Sequence, residues 1–280
     1  MDGLLNNCGS SILEAHNTRI YGNGTNTLVL SHGFGVDQTI WHFLIPVLAC
    51  YFKVVVYDLA FSPNVSPKLY DPNRYNNNFN AYAQDLTCIL DQLHVRKTIF
   101  IGHSMSAMVG CIAATKRPDL FQHLFLMNGS PRYLNTPMYS GGFSREDINT
   151  ILTNIRQNFT GWARTLAPLA IGVNNSAAIA EFESSLIRMN PKIALDVIKT
   201  ILLRDNRRVL KYVRVRSSII QTEKDIFDPL PVAYYMKKRL GYAAHAKLII
   251  LRTSGHFPQL TAYCQVLRAI KRVLHLHDMY

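Results

Sequence analysis

Acidic residues are scarce in this chain: of 280 residues, 18 are Asp or Glu against 30 Lys or Arg, a formal net charge of +12 at neutral pH. Eight of the basic residues fall between Lys192 and Arg216. No nucleic-acid-binding module accompanies them, so they read as a solvated helical face and loop, and no nucleic-acid partner is expected. Cysteine is sparse and unpatterned. Cys8, Cys50, Cys88, Cys111 and Cys264 are odd in number, scattered, and free of Cys-X-X-Cys spacing. Neither a disulfide framework nor a zinc site is expected, and the five read as reduced thiols, mostly packed. No apolar run approaches the ~20 residues that a membrane helix needs. The first residues lack the basic-then-apolar pattern of a secretory signal, and His277-Asp278-Met279-Tyr280 is neither a prenylation nor an ER-retention signal. A soluble intracellular protein is expected, without membrane attachment. Linkers, repeats and low-complexity tracts are missing too, since Asn76-Asn77-Asn78 is too short to count. The first ten or so residues are expected to be poorly ordered.

What is present is core material. Hydrophobic residues make up 48% of the chain, enough for one large α/β domain or two small ones. Short β-branched runs at Thr27–Leu30, Lys53–Tyr57, Thr98–Ile101, Leu124–Leu126, Ser217–Gln221 and Lys247–Leu251 suit strands covered on both faces. Helix-length segments at about 79–93, 105–117, 230–240 and 260–274 lie between them, an alternation that implies a mostly parallel sheet with right-handed crossovers. From Pro131 to roughly Arg208 strand signals vanish. Helical patterns replace them at Arg145–Phe159, Asn175–Arg188 and Lys192–Leu203, with Pro168 and Pro191 as punctuation. The expected division is a core over 1–130 and 209–280, with a helical cap over 131–208 covering the carboxyl edge of the sheet.

Chemistry enters at Ile99-Phe100-Ile101-Gly102-His103-Ser104-Met105-Ser106, where an apolar strand passes through Gly-X-Ser-X-small straight into a helix. This is the nucleophile-elbow pattern, which holds a serine hydroxyl above the sheet. Serine alone is a weak nucleophile, so a histidine must take its proton and an acid must orient that histidine. In the α/β-hydrolase order of Ser, acid, His, the partners are Asp225 and His256. Asp228 is the rival acid, but it lies farther from the strand end and precedes a proline. His32-Gly33-Phe34-Gly35 follows the first strand, where the Phe34 N–H can join the Met105 N–H as an oxyanion hole. Asp58 reads as a structural carboxylate for loop amides, and His103 as a locally packed side chain. Phe143, Trp162 and Phe182 fit either helix packing or a pocket wall. No motif for a metal or nucleotide cofactor is present.

With these motifs in place, the chain from about Ile12 to Leu274 resembles the plant strigolactone and karrikin receptor family of α/β-hydrolases. Beyond the elbow and the His32–Gln38 run, the resemblance is carried by Gly129–Asn135, Tyr139–Phe143, Ala167–Ala170, Gln221–Asp225 and Gly255–Pro258. Ser106 in place of the elbow's second glycine is a trait of that family. The resemblance implies a Ser104-Asp225-His256 triad beneath a four-helix V-shaped cap, a small apolar butenolide-type ligand, and signalling through an F-box protein and transcriptional regulators in cytoplasm and nucleus. It adds Tyr133, Leu166 and Leu202 to Phe34, Phe143, Trp162 and Phe182 as pocket residues, at positions where family receptors usually carry Phe. With His256-Phe257-Pro258-Gln259 in place of a His-Leu-Pro-His loop, the chain is most similar to the DWARF-fourteen-like-two branch. Two functions follow. One is a slow serine hydrolase of a butenolide or ester signal; the other is an interaction protein that retains the triad without turnover.

Overall fold

The computed structural model describes residues 12–76, 78–241 and 246–276. The expected N-terminal disorder and the four C-terminal residues lie outside these. Among the described residues, seven strands form one sheet: β1 (Arg19–Tyr21), β2 (Thr27–Ser31), β3 (Lys53–Tyr57), β4 (Thr98–His103), β5 (Phe121–Met127), β6 (Arg216–Lys224) and β7 (Lys247–Ser254). Their order is β1-β3-β2-β4-β5-β6-β7, with β1 antiparallel to β3 and every other pair parallel. The chain is thus an α/β protein with a mostly parallel sheet. The central strands β2 and β4 are buried along their whole length, which is why their sequences run apolar instead of alternating. β1 escaped the sequence reading because it is a three-residue edge strand, exposed throughout.

Short helices α1 (Ile12–Ala15), α2 (Ile45–Leu48) and α3 (Pro72–Tyr75) precede α4 (Asn80–Gln92) and α5 (Met105–Lys116). Ten of the twelve residues of α5 are buried, so it is the central helix packed under the sheet. Between β5 and β6 run α6 (Arg145–Gln157), α7 (Phe159–Ile171), α8 (Ser176–Ile187) and α9 (Pro191–Leu203). Within this set α7 packs on α8, and α6 on α9 and α7. The helical patterns at Arg145–Phe159, Asn175–Arg188 and Lys192–Leu203 leave α7 unmarked, although the family resemblance implies four helices in this region. Its first turn is opened by Asn158, whose side chain accepts the Gly161 N–H, and Pro168 sits inside its last turn instead of marking a break. The final elements are α10 (Leu230–Arg239), α11 (Pro258–Thr261) and α12 (Tyr263–Leu274). Among the described residues, no helix is long and apolar enough to cross a membrane.

The cysteines are not all reduced thiols, contrary to the expectation from their unpatterned spacing. Cys50, Cys111 and Cys264 are free, but Cys88 on α4 is disulfide-bonded. Spacing along the chain cannot reveal a pairing that folding alone brings about.

Candidate functional site

Every group named from the motifs sits at the carboxyl edge of the sheet. There, loops leaving parallel strands converge and ligands of open α/β sheets bind. β4 ends at His103, and Ser104 turns the chain into α5 with φ 57° and ψ −126°. That conformation costs a non-glycine residue on the order of 1–3 kcal/mol, and it persists only when the surroundings impose it. They do so here through Ser104 N–H donating to Met127 O at 2.9 Å and Ala107 N–H donating to Ser104 O at 3.0 Å. The Ser106 hydroxyl donates to His32 O at 2.5 Å and receives the Ser31 hydroxyl at 2.9 Å, stitching the elbow to β2. A glycine could not supply that stitch.

The loop after β2 is built around His32. The Leu59 N–H donates to its Nε2 at 2.9 Å, which leaves Nδ1 to carry the proton and donate to Gly33 O at 2.8 Å. Burial, opposed by the Asp58 charge, holds the His32 pKa below its usual value, in keeping with a neutral ring. A trans peptide points its N–H opposite to its C=O, so anchoring Gly33 O on His32 turns the Phe34 N–H away from that ring. Gly33 lies so close to the elbow that a Cβ there would stand 2.8 Å from Ser104 Cβ. Asp58 has the structural role read from sequence: it accepts Gln38 N–H at 2.9 Å, Gln38 Nε2 at 3.0 Å and Asn17 Nδ2 at 3.1 Å.

Asp225 leaves the end of β6, and His256 follows Gly255 after β7. His256 Nδ1 donates to Asp225 Oδ2 at 2.7 Å, whereas Asp228 Oδ2 stands 3.5 Å away. Asp225 also accepts Asn128 Nδ2 at 2.8 Å and Phe227 N–H at 2.9 Å. Burial pushes the Asp225 carboxyl up, but the His256 interaction and these hydrogen bonds outweigh it and leave the group below its ordinary value, hence ionised. Asp228 goes the other way. Burial, reinforced by the Asp225 charge, raises it well above the carboxylate range. Two acids beside one imidazole are thereby split into one ionised and one protonated. With Nδ1 committed to Asp225, Nε2 is the His256 nitrogen left for other chemistry.

The histidine loop is also tied upward. Gly255 has φ 98°, and a Cβ there would fall 1.9 Å from Ile171 O, so only glycine lets the end of α7 approach. His256 N–H then donates to Ala170 O at 2.7 Å. His103 was expected to bond locally, but its Nε2 donates to His256 O at 2.7 Å. Burial and the neighbouring His256 push the His103 pKa well down, so it serves as a neutral prop beneath the loop.

Ser104 and His256 line one cavity. Phe34, Tyr133, Phe143, Trp162, Leu166, Phe182 and Leu202 all line it, so the residues that could have been mere helix packing face the same space. Ile151, Ile198, Ile201, Phe227 and Phe257 also line it and were not foreseen, because an apolar residue on a helix carries no local mark of facing a cavity instead of a neighbour. Asn128 was missed as well. Its Asn-Gly pair after β5 signals only a turn, whereas its φ of 43° and its bond to Asp225 belong to the site. Asp225, Asp228 and His256 are the one group among the described residues able to offer three ligand atoms to a cation. The Asp225–His256 hydrogen bond already engages two of those three.

The fold and the carboxyl-edge site together define a protein of the alpha/beta hydrolase class, in which a strand-to-helix serine shares a cavity with a histidine held by an acid. The sequence pattern of the alpha/beta hydrolase fold matches residues 26–263. A strigolactone esterase of Arabidopsis thaliana is 41% identical over 264 residues, spanning 94% of this chain and 98% of the relative. A karrikin insensitive 2 receptor of Petunia hybrida is 41% identical over 267 residues, spanning 95% and 97%. Among solved structures, a hydrolase from Oleispira antarctica superposes with a TM-score of 0.90 at 29% identity, covering 95% of this chain and 97% of that one. The chain belongs to the alpha/beta hydrolase family, in the group formed by strigolactone esterases and karrikin receptors.

Proposed function

We propose that this protein is a slow serine hydrolase of small apolar esters or lactones, of the strigolactone or karrikin type, whose turnover serves perception of a signal. The observation that carries the reading is the strained Ser104 sharing an apolar cavity with a His256 that is bonded to an ionised Asp225. His256 Nε2 takes the Ser104 proton as Oγ bonds to the ester carbonyl carbon, and Asp225 stabilises the imidazolium that results. The Met105 and Phe34 N–H groups receive the negative charge developing on the carbonyl oxygen. Collapse expels the alcohol, which takes its proton from His256, and water activated by the same histidine releases the acyl group from Ser104.

The mostly apolar wall favours a compact ligand with few polar groups. Signalling through an F-box protein and transcriptional regulators, by likeness to the family, would follow from the ligand-bound state. Turnover of a fluorogenic butenolide and of p-nitrophenyl esters, with Ser104→Ala as control, tests the reading. Release by wild type above the control supports it. Equal rates in the two would leave a triad-bearing interaction protein in its place.

A further inference from the structure

One stretch of the cavity wall departs from the apolar plan. Tyr133 is 3% exposed and lines the cavity, yet its hydroxyl makes no hydrogen bond among the described residues. Beside it Asp228 is wholly buried, and neither of its carboxyl oxygens has a hydrogen-bond partner there. Asp228 is not held for structural reasons through that carboxyl: the Gln221 side chain donates to its main-chain carbonyl instead, at 2.8 Å. Nor does it orient the histidine, whose Nδ1 stands 3.5 Å away and is already given to Asp225 at 2.7 Å.

Burying polar groups without partners costs stability, and native proteins rarely place two side by side unless something completes them. The groups facing Asp228 are Asp225 and His256 from the loops after β6 and β7, and Tyr133 and Tyr139 from the loop after β5. Tyr139 already donates its hydroxyl to Arg132 O at 2.9 Å, and Asp225 is engaged through both oxygens. Tyr133 is the facing group with capacity to spare. Burial and the Asp225 charge keep a proton on Asp228, so its acid O–H can be given to the Tyr133 oxygen. The Tyr133 O–H is then directed at the cavity beside Ser104, whose hydroxyl it also faces.

We propose that Tyr133, oriented by the positioning residue Asp228, is a specificity-determining donor that selects esters and lactones carrying a second acceptor oxygen near the scissile carbonyl. This rests on the reading of the cavity as an ester or lactone site. Such an oxygen completes the orphaned hydroxyl, whereas an apolar group of the same shape leaves it buried and unpaired, and that difference is what discriminates.

The test uses two esters of matched shape, p-nitrophenyl methoxyacetate and p-nitrophenyl butyrate, and reads the ratio of their kcat/KM values, in which intrinsic reactivity cancels between variants. Tyr133→Phe should lower the methoxyacetate-to-butyrate ratio by about 2- to 10-fold, the range of one net hydrogen bond. Asp228→Leu should lower it similarly, and the double variant no further than Tyr133→Phe alone. Asp228→Asn, whose amide still donates, should keep the wild-type ratio, which a merely structural role would not predict. A wild-type ratio in Tyr133→Phe overturns the proposal, and this conservative variant decides even if Asp228→Leu does not fold. A lowered ratio in Tyr133→Phe with a wild-type ratio in Asp228→Leu overturns the positioning role of Asp228. Wild type cleaving neither ester faster than Ser104→Ala overturns the hydrolase reading beneath it.

Discussion

The floor of the cavity, at the carboxyl edge of the sheet, is polar and bound up in hydrogen bonds, whereas its roof of α6 to α9 is apolar and held by packing. On the floor, Ser104, Ser106, His32, His103, Asn128, Asp225 and His256 are each positioned by at least one hydrogen bond of 2.5–3.0 Å to another chain segment. In the roof, Phe182 sets its ring 4.4 Å from that of Phe257, and Trp162 stacks on Phe159 at 6.0 Å. Proton transfer needs atoms held in fixed directions, which hydrogen bonds to a rigid sheet supply. Choosing an apolar ligand needs shaped surface and little direction, which side-chain packing supplies. The two regions meet where Gly255 lets α7 reach the histidine loop.

The comparison breaks first if floor substitutions fail to separate from roof substitutions. Ser104→Ala and His256→Ala should each cut ester turnover by on the order of 10³-fold or more, and the double variant should be no worse than either, since the two act as a unit. Melting temperatures should stay near wild type. Substantial turnover in Ser104→Ala would remove that residue from the chemistry.

The floor can be resolved further. Asp225→Asn should cost about 10²–10⁴-fold in kcat by presenting the wrong histidine tautomer, and the loss in Asp228→Asn should be at least a hundredfold smaller. Reversed effects would make Asp228 the orienting acid, against the 2.7 Å and 3.5 Å separations from His256.

A roof substitution should show the opposite signature. Phe182 is 2% exposed, and Phe182→Ala should lower stability by about 3–5 kcal/mol through the cavity it leaves. Thermal unfolding reads that loss, and steady-state kinetics should place the activity change in KM more than in kcat. A collapse of kcat at unchanged stability would mean that the roof takes part in the chemistry.

The smallest effect concerns pH. Asp228 has its folded pKa raised by burial and by Asp225, so the folded protein holds a proton that the unfolded chain releases above its ordinary carboxylate range near 4. Stability contributed through this group is therefore lost as pH rises above that value. Asp228→Asn should raise the melting temperature by a few degrees at pH 7, and the gain should vanish below about pH 4. A gain that persisted unchanged at low pH would show that the native carboxyl is ionised.

Much of the floor was legible because its signals are local. An apolar strand running into Gly-X-Ser-X-small defines a turn within six residues, and His-Gly-X-Gly after a strand does the same. The pairing of Asp225 with His256 is less local, yet position at a strand end distinguishes it from Asp228. The roof was legible only as helices. Helix α7 was hidden by a glycine in its first turn and a proline in its last, and tertiary packing overrode both.

By itself the sequence determined the alternating sheet, the elbow at Ser104, the glycine loop at Phe34 and the apolar supply for a cavity, since each depends on neighbours a few residues apart. Only the tertiary structure decided that His256 is shared unequally between Asp225 and Asp228, that Asn128 and His103 brace the acid and the histidine loop, and that the Tyr133 and Asp228 side chains lie together with no hydrogen bond to any other described residue. These are contacts between segments far apart in the chain. Burial and the neighbouring charge set their meaning, and neither exists until the segments are packed together.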